Sequence, residues 1–199
     1  HSSGEECLPH KVTLGDFLKL CRTRKSVRRF ADRPVERKKI ELCLEAARRA
    51  PSADNMQPWR FKLIRGPARE RFAELLVSAA QARDPATPPR QLEKLRSRPL
   101  HAPLVIAVSA RVRDNPKVPE SEQLLSAGAG LMNLLNALHA QGFGAIALTG
   151  PSVYDPAVVS GLGYGAGERL LCFVYVGTVG AVVPAAPERP AYAPFVSEF

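Results

Sequence analysis

The sequence predicts an α+β fold, a single domain in which helices outnumber strands. Three observations carry that expectation. Apolar residues recur at helical spacing along much of the chain. The strand-like runs are few and scattered, at Trp59 to Ile64, Pro103 to Ser109, Ala145 to Leu148 and Arg169 to Gly177. Strand and helix do not alternate steadily, as βαβ units would require. With 199 residues, 45% hydrophobic and 24% charged, the chain can bury one full core and has an ordinary globular composition. The domain is read as 13–199, ending in an extended tail over about 182–199. Residues 1–12, which begin His1-Ser-Ser-Gly, are set aside as a cloning remnant and flexible N-terminus.

Taken in order, Thr13 opens the first helix, with Asp16 three residues on to close a capping box. Leu14, Phe17, Leu18 and Cys21 then share one helical face. Arg33-Pro34 breaks the chain. Glu36 to Ala50 reads as a second helix with Ile40, Cys43, Leu44 and Ala47 inward, and Pro51 stops it. After the strand at Trp59, Pro67 starts a third helix that runs to about Ala82. A polar loop from Arg83 to Pro89 precedes a short charged helix, Gln91 to Arg98. Pro103 to Ser109 is the best buried strand of the first half. The longest helix spans Glu120 to Gln141, and Ala127-Gly-Ala-Gly-Leu131 leaves its middle nearly bare. Two readings fit that stripe: a close helix crossing within the chain, or a central helix packed against a second subunit. Gly142-Phe-Gly144 caps it and leads into the strand Ala145–Leu148. A helical turn at Asp155 to Ser160 and the strand Arg169 to Gly177 follow. The tail carries Pro184, Pro187, Pro190 and Pro194, so it is extended, and its apolar Phe195, Val196 and Phe199 should dock on the body or on a partner chain.

Lys and Arg outnumber Asp and Glu by 28 to 19, a net charge of +9 that favours anionic partners: nucleic acid, a phosphorylated cofactor or an acidic surface. No apolar run approaches the roughly 20 residues a membrane span needs. Cys7, Cys21, Cys43 and Cys172 are scattered and read as reduced thiols packed like small apolar residues. No pair has metal-ligand spacing and His10, His101 and His139 stand alone, so no metal site is expected; the expected compartment is the cytoplasm.

Two stretches carry chemistry. Arg22-Thr-Arg-Lys-Ser-Val-Arg-Arg-Phe30 sets Arg22, Arg24, Lys25, Arg28 and Arg29 beside Ser26, with Val27 and Phe30 interleaved. Guanidinium forks and a hydroxyl can converge on phosphate oxygens while the apolar residues anchor the backbone. A solvated basic run at a helix end is the competing reading. The second stretch is Ala50-Pro-Ser-Ala-Asp-Asn-Met-Gln-Pro-Trp-Arg-Phe61. Gly161-Leu-Gly-Tyr-Gly-Ala166 matches a dinucleotide pattern in letters only. It follows a helical turn and precedes a strand, the reverse of the needed context, and is read as a turn. His139 reads as a packed or surface residue. The runs Arg22–Arg29 and Arg90–Arg98 supply charge for nucleic acid, without the aromatic platforms or groove-entering motif that accompany it.

Together, Arg24-Lys-Ser-Val-Arg28 and Ala50-Pro-Ser-Ala-Asp-Asn-Met-Gln-Pro-Trp59 resemble the paired motifs of the FMN-dependent nitroreductase family, an Arg-Arg-Ser-x-Arg opening and a Pro-Ser-x-x-Asn-x-Gln-Pro-Trp segment after the next helix. Lys117-Val-Pro with Glu122, Ser126-Ala-Gly128, Gln141-Gly-Phe-Gly144 and Phe173-Val-Tyr-Val-Gly-Thr178 extend the likeness. Ala193-Pro-Phe-Val196 resembles the end of the compact NAD(P)H nitroreductases in the family. The likeness spans about residue 13 to the C-terminus.

The resemblance implies a nitroreductase-like α-β sandwich, a central and mainly antiparallel sheet flanked by helices, in an intertwined homodimer with FMN at the subunit interface. By position, Arg24, Lys25 and Ser26 would hold the FMN phosphate and ribityl end, and Arg28 would lie near the N1 and O2 edge as an electrostatic stabiliser. From the other subunit, Arg49, Pro51, Ser52, Ala53 and Asn55 would line the flavin. Ala147, Leu148 and Thr149 would run along the ring. The implied activity is hydride transfer from NADPH or NADH through flavin N5 to nitroaromatics, quinones or similar electron-poor acceptors, by a ping-pong route that demands no protein acid, base or nucleophile. Ala53 replaces a side chain that is often polar in the family, and Ala147-Leu-Thr149 lacks an aromatic or basic residue seen in some compact relatives. Arg189 is the one candidate for the basic C-terminal contact of longer members. A flavin sensor or carrier without turnover, and a basic nucleic-acid-binding domain, are the alternatives.

Overall fold

The computed structural model describes residues 12–180 and 185–199. Five strands form its sheet: β1 (Phe30–Ala31), β2 (Trp59–Arg65), β3 (Leu104–Arg111), β4 (Phe143–Leu148) and β5 (Glu168–Val179). All named pairings are antiparallel. β5 is the hub, paired with β3 over most of its length, with β4 over Phe173 to Thr178 and with β1 at its last residues, while β2 lies against β3. β3 and β5 can hold these positions because their sequences are apolar on both faces; β3 is buried from Leu104 to Ala110.

The helices are α1 (Leu14–Thr23), α2 (Arg37–Arg48), α3 (Ala68–Arg83), α4 (Pro89–Ser97), α5 (Glu120–Ala140), α6 (Pro151–Tyr154) and α7 (Pro156–Gly161). Successive strand residues point to opposite faces, and the two faces build two cores. Val105, Ile146, Phe173 and Tyr175 pack with Phe72 and Leu76 of α3, Val153 of α6 and Val158 of α7. Ile106, Val108, Val174 and Val176 pack with Ile40, Cys43 and Ala47 of α2 and Leu134 and Leu138 of α5. The result is a helix–sheet–helix sandwich, the α+β architecture the sequence predicts.

Local signals account for most boundaries. The Thr13–Asp16 capping box forms in both directions, with Asp16 N donating to Thr13 Oγ1 at 3.1 Å and Thr13 N to Asp16 Oδ2 at 3.4 Å. The Gly161–Ala166 run closes α7 at Gly161 and turns from Leu162 onward, with Gly163 at φ +75°. Gly130 of α5 makes a close crossing within the chain: a Cβ there would stand 3.3 Å from Ala47 O and 3.4 Å from Trp59 Cε3. Gly128, two residues earlier, meets nothing within 4 Å. The bare stripe therefore serves the internal crossing at one glycine and leaves the other open.

Several expectations need correction. β1 was not anticipated, because a strand of two residues leaves no periodicity to read. α4 begins at Pro89, before the expected Gln91, since proline suits the first helical turn. The helical turn near Asp155 is two short helices, α6 and α7, with Asp155 capping the second by accepting from Ala157 N at 3.0 Å. Leu44 is only half-buried and Cys21 is exposed. Among the described residues the apolar face of α1 meets no core: Phe17 is 51% exposed. The described part of the tail contains one 3₁₀ turn, Ala193–Phe195, and its apolar residues are exposed on the single chain, Phe195 at 74%, so they do not dock on the chain's own body and only the partner-chain half of that expectation stands. Cys7, His10, Val182 and Pro184, and the N-terminal remnant up to residue 11, lie outside the described residues. Among the described residues no helix is long and apolar enough to cross a membrane.

Candidate functional site

The basic stretch owes its position to two glycines. Gly144 of β4 and Gly177 of β5 are cross-strand partners, and side by side they leave a patch of sheet with no side chains. Segment 27–30 lies on that patch. A Cβ at Gly144 would stand 2.9 Å from Val27 Cβ and Cγ1, and one at Gly177 would stand 2.8 Å from Phe30 Cβ and 2.9 Å from Pro103 Cδ. No side chain fits there. The close approach is fastened by a hydrogen bond from Val27 N to Ala145 O at 3.0 Å and by a parallel bridge between Ser26 and Ala145. Val27 is buried, so the segment is anchored by its apolar residues, as the sequence suggests, while its charged residues line cavities around it.

Arg24, Lys25 and Ser26 line a cavity of about 590 Å³ together with Cys21, Arg22, Ala185, Pro187 and Arg189. The described residues that line it include three arginines and one lysine, and no carboxylate is among them. The tail brings Arg189 to the same cavity as the start of the basic stretch. Arg24 and Lys25 also border a smaller cavity of about 270 Å³ with Val27, Leu135, His139 and Phe143. There His139 Nε2 lies 2.9 Å from Thr23 Oγ1. Burial, and then the charges of Arg24 and Lys25, push its pKa below the ordinary 6.5. The shift favours the neutral ring.

Arg28 opens elsewhere. It lines a cavity of about 250 Å³ whose floor is Phe30, Ile146, Leu148 and Tyr175 and whose rim holds Lys94, Ser97, Arg98 and His101. Burial pushes the Tyr175 phenol up to about 12, against a lowering by Arg98. Thr149, at the end of β4, lines an adjoining groove with α4. Leu148 and Thr149 thus face cavities, whereas Ala147 packs against the α2–α5 core.

The remaining expected residues sit apart. Arg49 caps α2 and is paired with Glu45 at 2.7 Å. Pro51 and Ser52 lead into a 3₁₀ turn, Ala53–Asn55, in which Asp54 and Asn55 adopt φ of 47° and 51°, and Gln57 follows at 47°. Three non-glycine residues in the left-handed region mark a strained segment. It is held by Gln57 N donating to Ser52 Oγ at 2.7 Å, Gln57 Nε2 to Asn55 Oδ1 at 2.9 Å, and Ala53 N to Ser126 Oγ of α5 at 3.2 Å. None of the cavities just described is lined by any residue of 49–55. Within one chain the expected residues therefore form two groups, one around β4 and one at the end of α2.

Sequence reasoning missed Lys94, Ser97, Arg98 and His101 as neighbours of Arg28. The signal was present in the spacing of Arg90, Lys94 and Arg98, but only the fold sets α4 beside β4. No group of three or more His, Cys, Asp or Glu among the described residues could hold a metal ion.

Comparison with known proteins gives consistent findings. The model of the nitroreductase family matches residues 21–178. The protein YdjA of Escherichia coli K12, provisionally named an NAD(P)H nitroreductase, is 35% identical over 184 residues, covering 92% of this chain and all of that one. A nitroreductase-like family protein from Bacillus cereus superposes with a TM-score of 0.82 at 22% identity, over 96% of this chain and 99% of the other. A provisionally named nitroreductase from Desulfovibrio desulfuricans, solved in complex with FMN, gives 0.70 at 26% identity over 92% and 95%.

Proposed function

The chain belongs to the nitroreductase family, and on that premise we propose that it is an FMN-dependent oxidoreductase taking hydride from NAD(P)H. The acceptors are nitroaromatics, quinones or related electron-poor molecules, and the working unit is a cytoplasmic homodimer with FMN between its subunits. The observation that carries the reading is the cavity at the end of α1, where three arginines, Arg22, Arg24 and Arg189, meet Lys25 and Ser26. That donor set suits a phosphate monoester, which brings close to two negative charges and three acceptor oxygens.

Arg24, Lys25 and Ser26 would hold the phosphate and ribityl end, and Arg189 adds a fourth group. Arg28 would stand at the N1 and O2 edge of the ring, with Leu148 and Thr149 along it and Ala147 behind them. When bound, FMN supplies the chemistry itself, accepting a hydride at N5 and giving it up again. The protein's own task is orientation and charge. The seated segment 27–30 fixes the backbone of Arg28 beside this cavity, from which its guanidinium can reach negative charge developing at the ring edge. If donor and acceptor enter the same cavity in turn, the kinetics would be ping-pong.

The homodimer is supported by surfaces the single chain leaves bare. α1 exposes Leu14 and Phe17, α5 exposes Leu125 and Met132, and the tail exposes Phe195 and Val196. It also supplies a reason for the split site: Arg49, Pro51, Ser52, Ala53 and Asn55 of one subunit would complete the cavities of the other. Ala53 can offer only backbone there, and its N–H is already engaged by Ser126.

Titration of flavin-free protein with FMN tests the cradle. Arg24→Ala and Ser26→Ala should each weaken FMN binding, the arginine by about tenfold or more, since a hydrogen bond to a charged group contributes about 1.5–3 kcal/mol. Unchanged affinity in both variants removes the phosphate assignment.

A further inference from the structure

α4 carries two kinds of cation. Arg96 is committed to carboxylates, with Nε 3.0 Å from Glu74 Oε1 and Nη1 3.7 Å from Glu93 Oε2. Arg90 and Lys94 of α4 and Arg98, its C-cap in helical conformation, follow one another at four-residue spacing and form one row, rising about 6 Å along the helix per step. Among the described residues no salt bridge joins any of these three to a carboxylate. Like charges at this spacing repel and weaken a helix, and here the row is turned toward a concavity. All three line a groove of about 800 Å³ whose opposite wall is Thr149, Pro151 and Ser152. Its lone lining carboxylate is Glu93, which Arg96 already engages. Lys94 and Arg98 are shared with the smaller cavity that holds Arg28 and Leu148. The groove therefore leads from the ring end of the site outward along a line of unpaired positive charge.

We propose that this groove receives the adenylate half of the reduced dinucleotide, with the α4 row taking its phosphates, and that the donor is consequently NADPH rather than NADH. The inference rests on the preceding reading, in which NAD(P)H delivers its hydride beside Arg28, Leu148 and Thr149. The two donors share a pyrophosphate and differ by a single phosphate monoester, worth nearly two further negative charges at pH 7. A row of three cations extends past what a pyrophosphate can satisfy. Arg90, the outermost, lines only the groove and is the residue most specific to the extra phosphate.

The test uses FMN-loaded protein and anaerobic stopped-flow reduction, which isolates the donor from any acceptor. The second-order constant for NADPH should exceed that for NADH by about tenfold or more at low salt, and the margin should shrink as salt screens the row. Arg90→Glu should bring the ratio to about one, Arg90→Lys should keep most of it, and Arg37→Glu, remote on α2 and paired with Glu41, should leave it unchanged. A calorimetric titration gives a readout without turnover: 2′,5′-ADP should bind the loaded protein more tightly than 5′-ADP, and Arg90→Glu should abolish the difference. Equal reduction by NADPH and NADH in the parent protein, or a ratio that Arg90→Glu leaves unmoved, overturns the inference while the oxidoreductase reading stands. Salt-sensitive binding of single-stranded DNA lost in Arg90→Glu, with no preference for 2′,5′-ADP, also overturns it. Failure of both nucleotides to reduce bound flavin takes the oxidoreductase reading down as well.

Discussion

Gly144→Ala tests whether the sheet seats the basic stretch as described. The new Cβ would stand 2.9 Å from Val27 Cβ and Cγ1 and 3.2 Å from Val179 Cγ2. A rotamer change can move Cγ1, but Val27 Cβ is fixed to the backbone, so the segment itself must lift by a few tenths of an ångström. Overpacking a tight site costs about 1–3 kcal/mol, and the stiffer unfolded chain of the alanine variant returns about 0.4–1 kcal/mol. The expected net loss is about 1–2 kcal/mol, well inside the roughly 5–15 kcal/mol of a typical domain. The variant should therefore fold. Lifting the segment strains the Val27–Ala145 hydrogen bond and moves Arg28 with it, so FMN should bind about tenfold more weakly, equivalent to about 1.4 kcal/mol. Urea denaturation followed by the fluorescence of buried Trp59 reads the first quantity, and FMN titration the second. Val27→Ala in the same background removes the Cγ1 contact and leaves the Cβ contact, so it should restore only part of each loss. A variant as stable as the parent, with unchanged m-value and FMN affinity, would refute the seating argument.

Two further outcomes follow from the same structure. His139 has a folded pKa below its ordinary 6.5, so between those two values the unfolded chain binds more protons and stability falls as pH drops below about 6.5. His139→Gln should lose less stability than the parent between about pH 7.5 and pH 5; an identical acid slope in urea melts would contradict this. Leu125 and Met132 are 75% and 41% exposed in the single chain, where aspartate at both would be tolerated, but a buried subunit contact would not accept two carboxylates. Sedimentation equilibrium should show a dimeric parent and a monomeric, flavin-poor Leu125→Asp/Met132→Asp variant; a parent that is monomeric with FMN bound would overturn the proposed assembly.

Much of the fold was legible because the signals were local. Thr13 and Asp16 sit at capping-box spacing, β3 is a continuous apolar run, and Gly142 stops α5 where its helix-capping role requires. The same holds for the two motifs, whose residues are close in sequence. What the sequence hid depends on register and packing between distant segments. Gly144 and Gly177 are ordinary strand residues until β4 and β5 are aligned, when they become one bare patch. Arg90, Lys94 and Arg98 look like a solvated run until α4 is set beside the end of β4. The exposure of Phe17 and Leu125 could not be anticipated from amphipathic spacing either, because periodicity identifies an apolar face without saying which molecule covers it.

On the proposed function, the basic cavity and the Arg28 pocket hold a flavin that NAD(P)H reduces. An absorbance spectrum of purified protein, followed by anaerobic NADPH, tests it in one cuvette. Flavin bands at about one FMN per chain that bleach on addition of the nucleotide are the predicted result, since each chain supplies one basic cradle. A protein that remains colourless after incubation with FMN would contradict the claim outright, and bound flavin that stays oxidised with both NADPH and NADH would leave a flavin carrier in place of an enzyme.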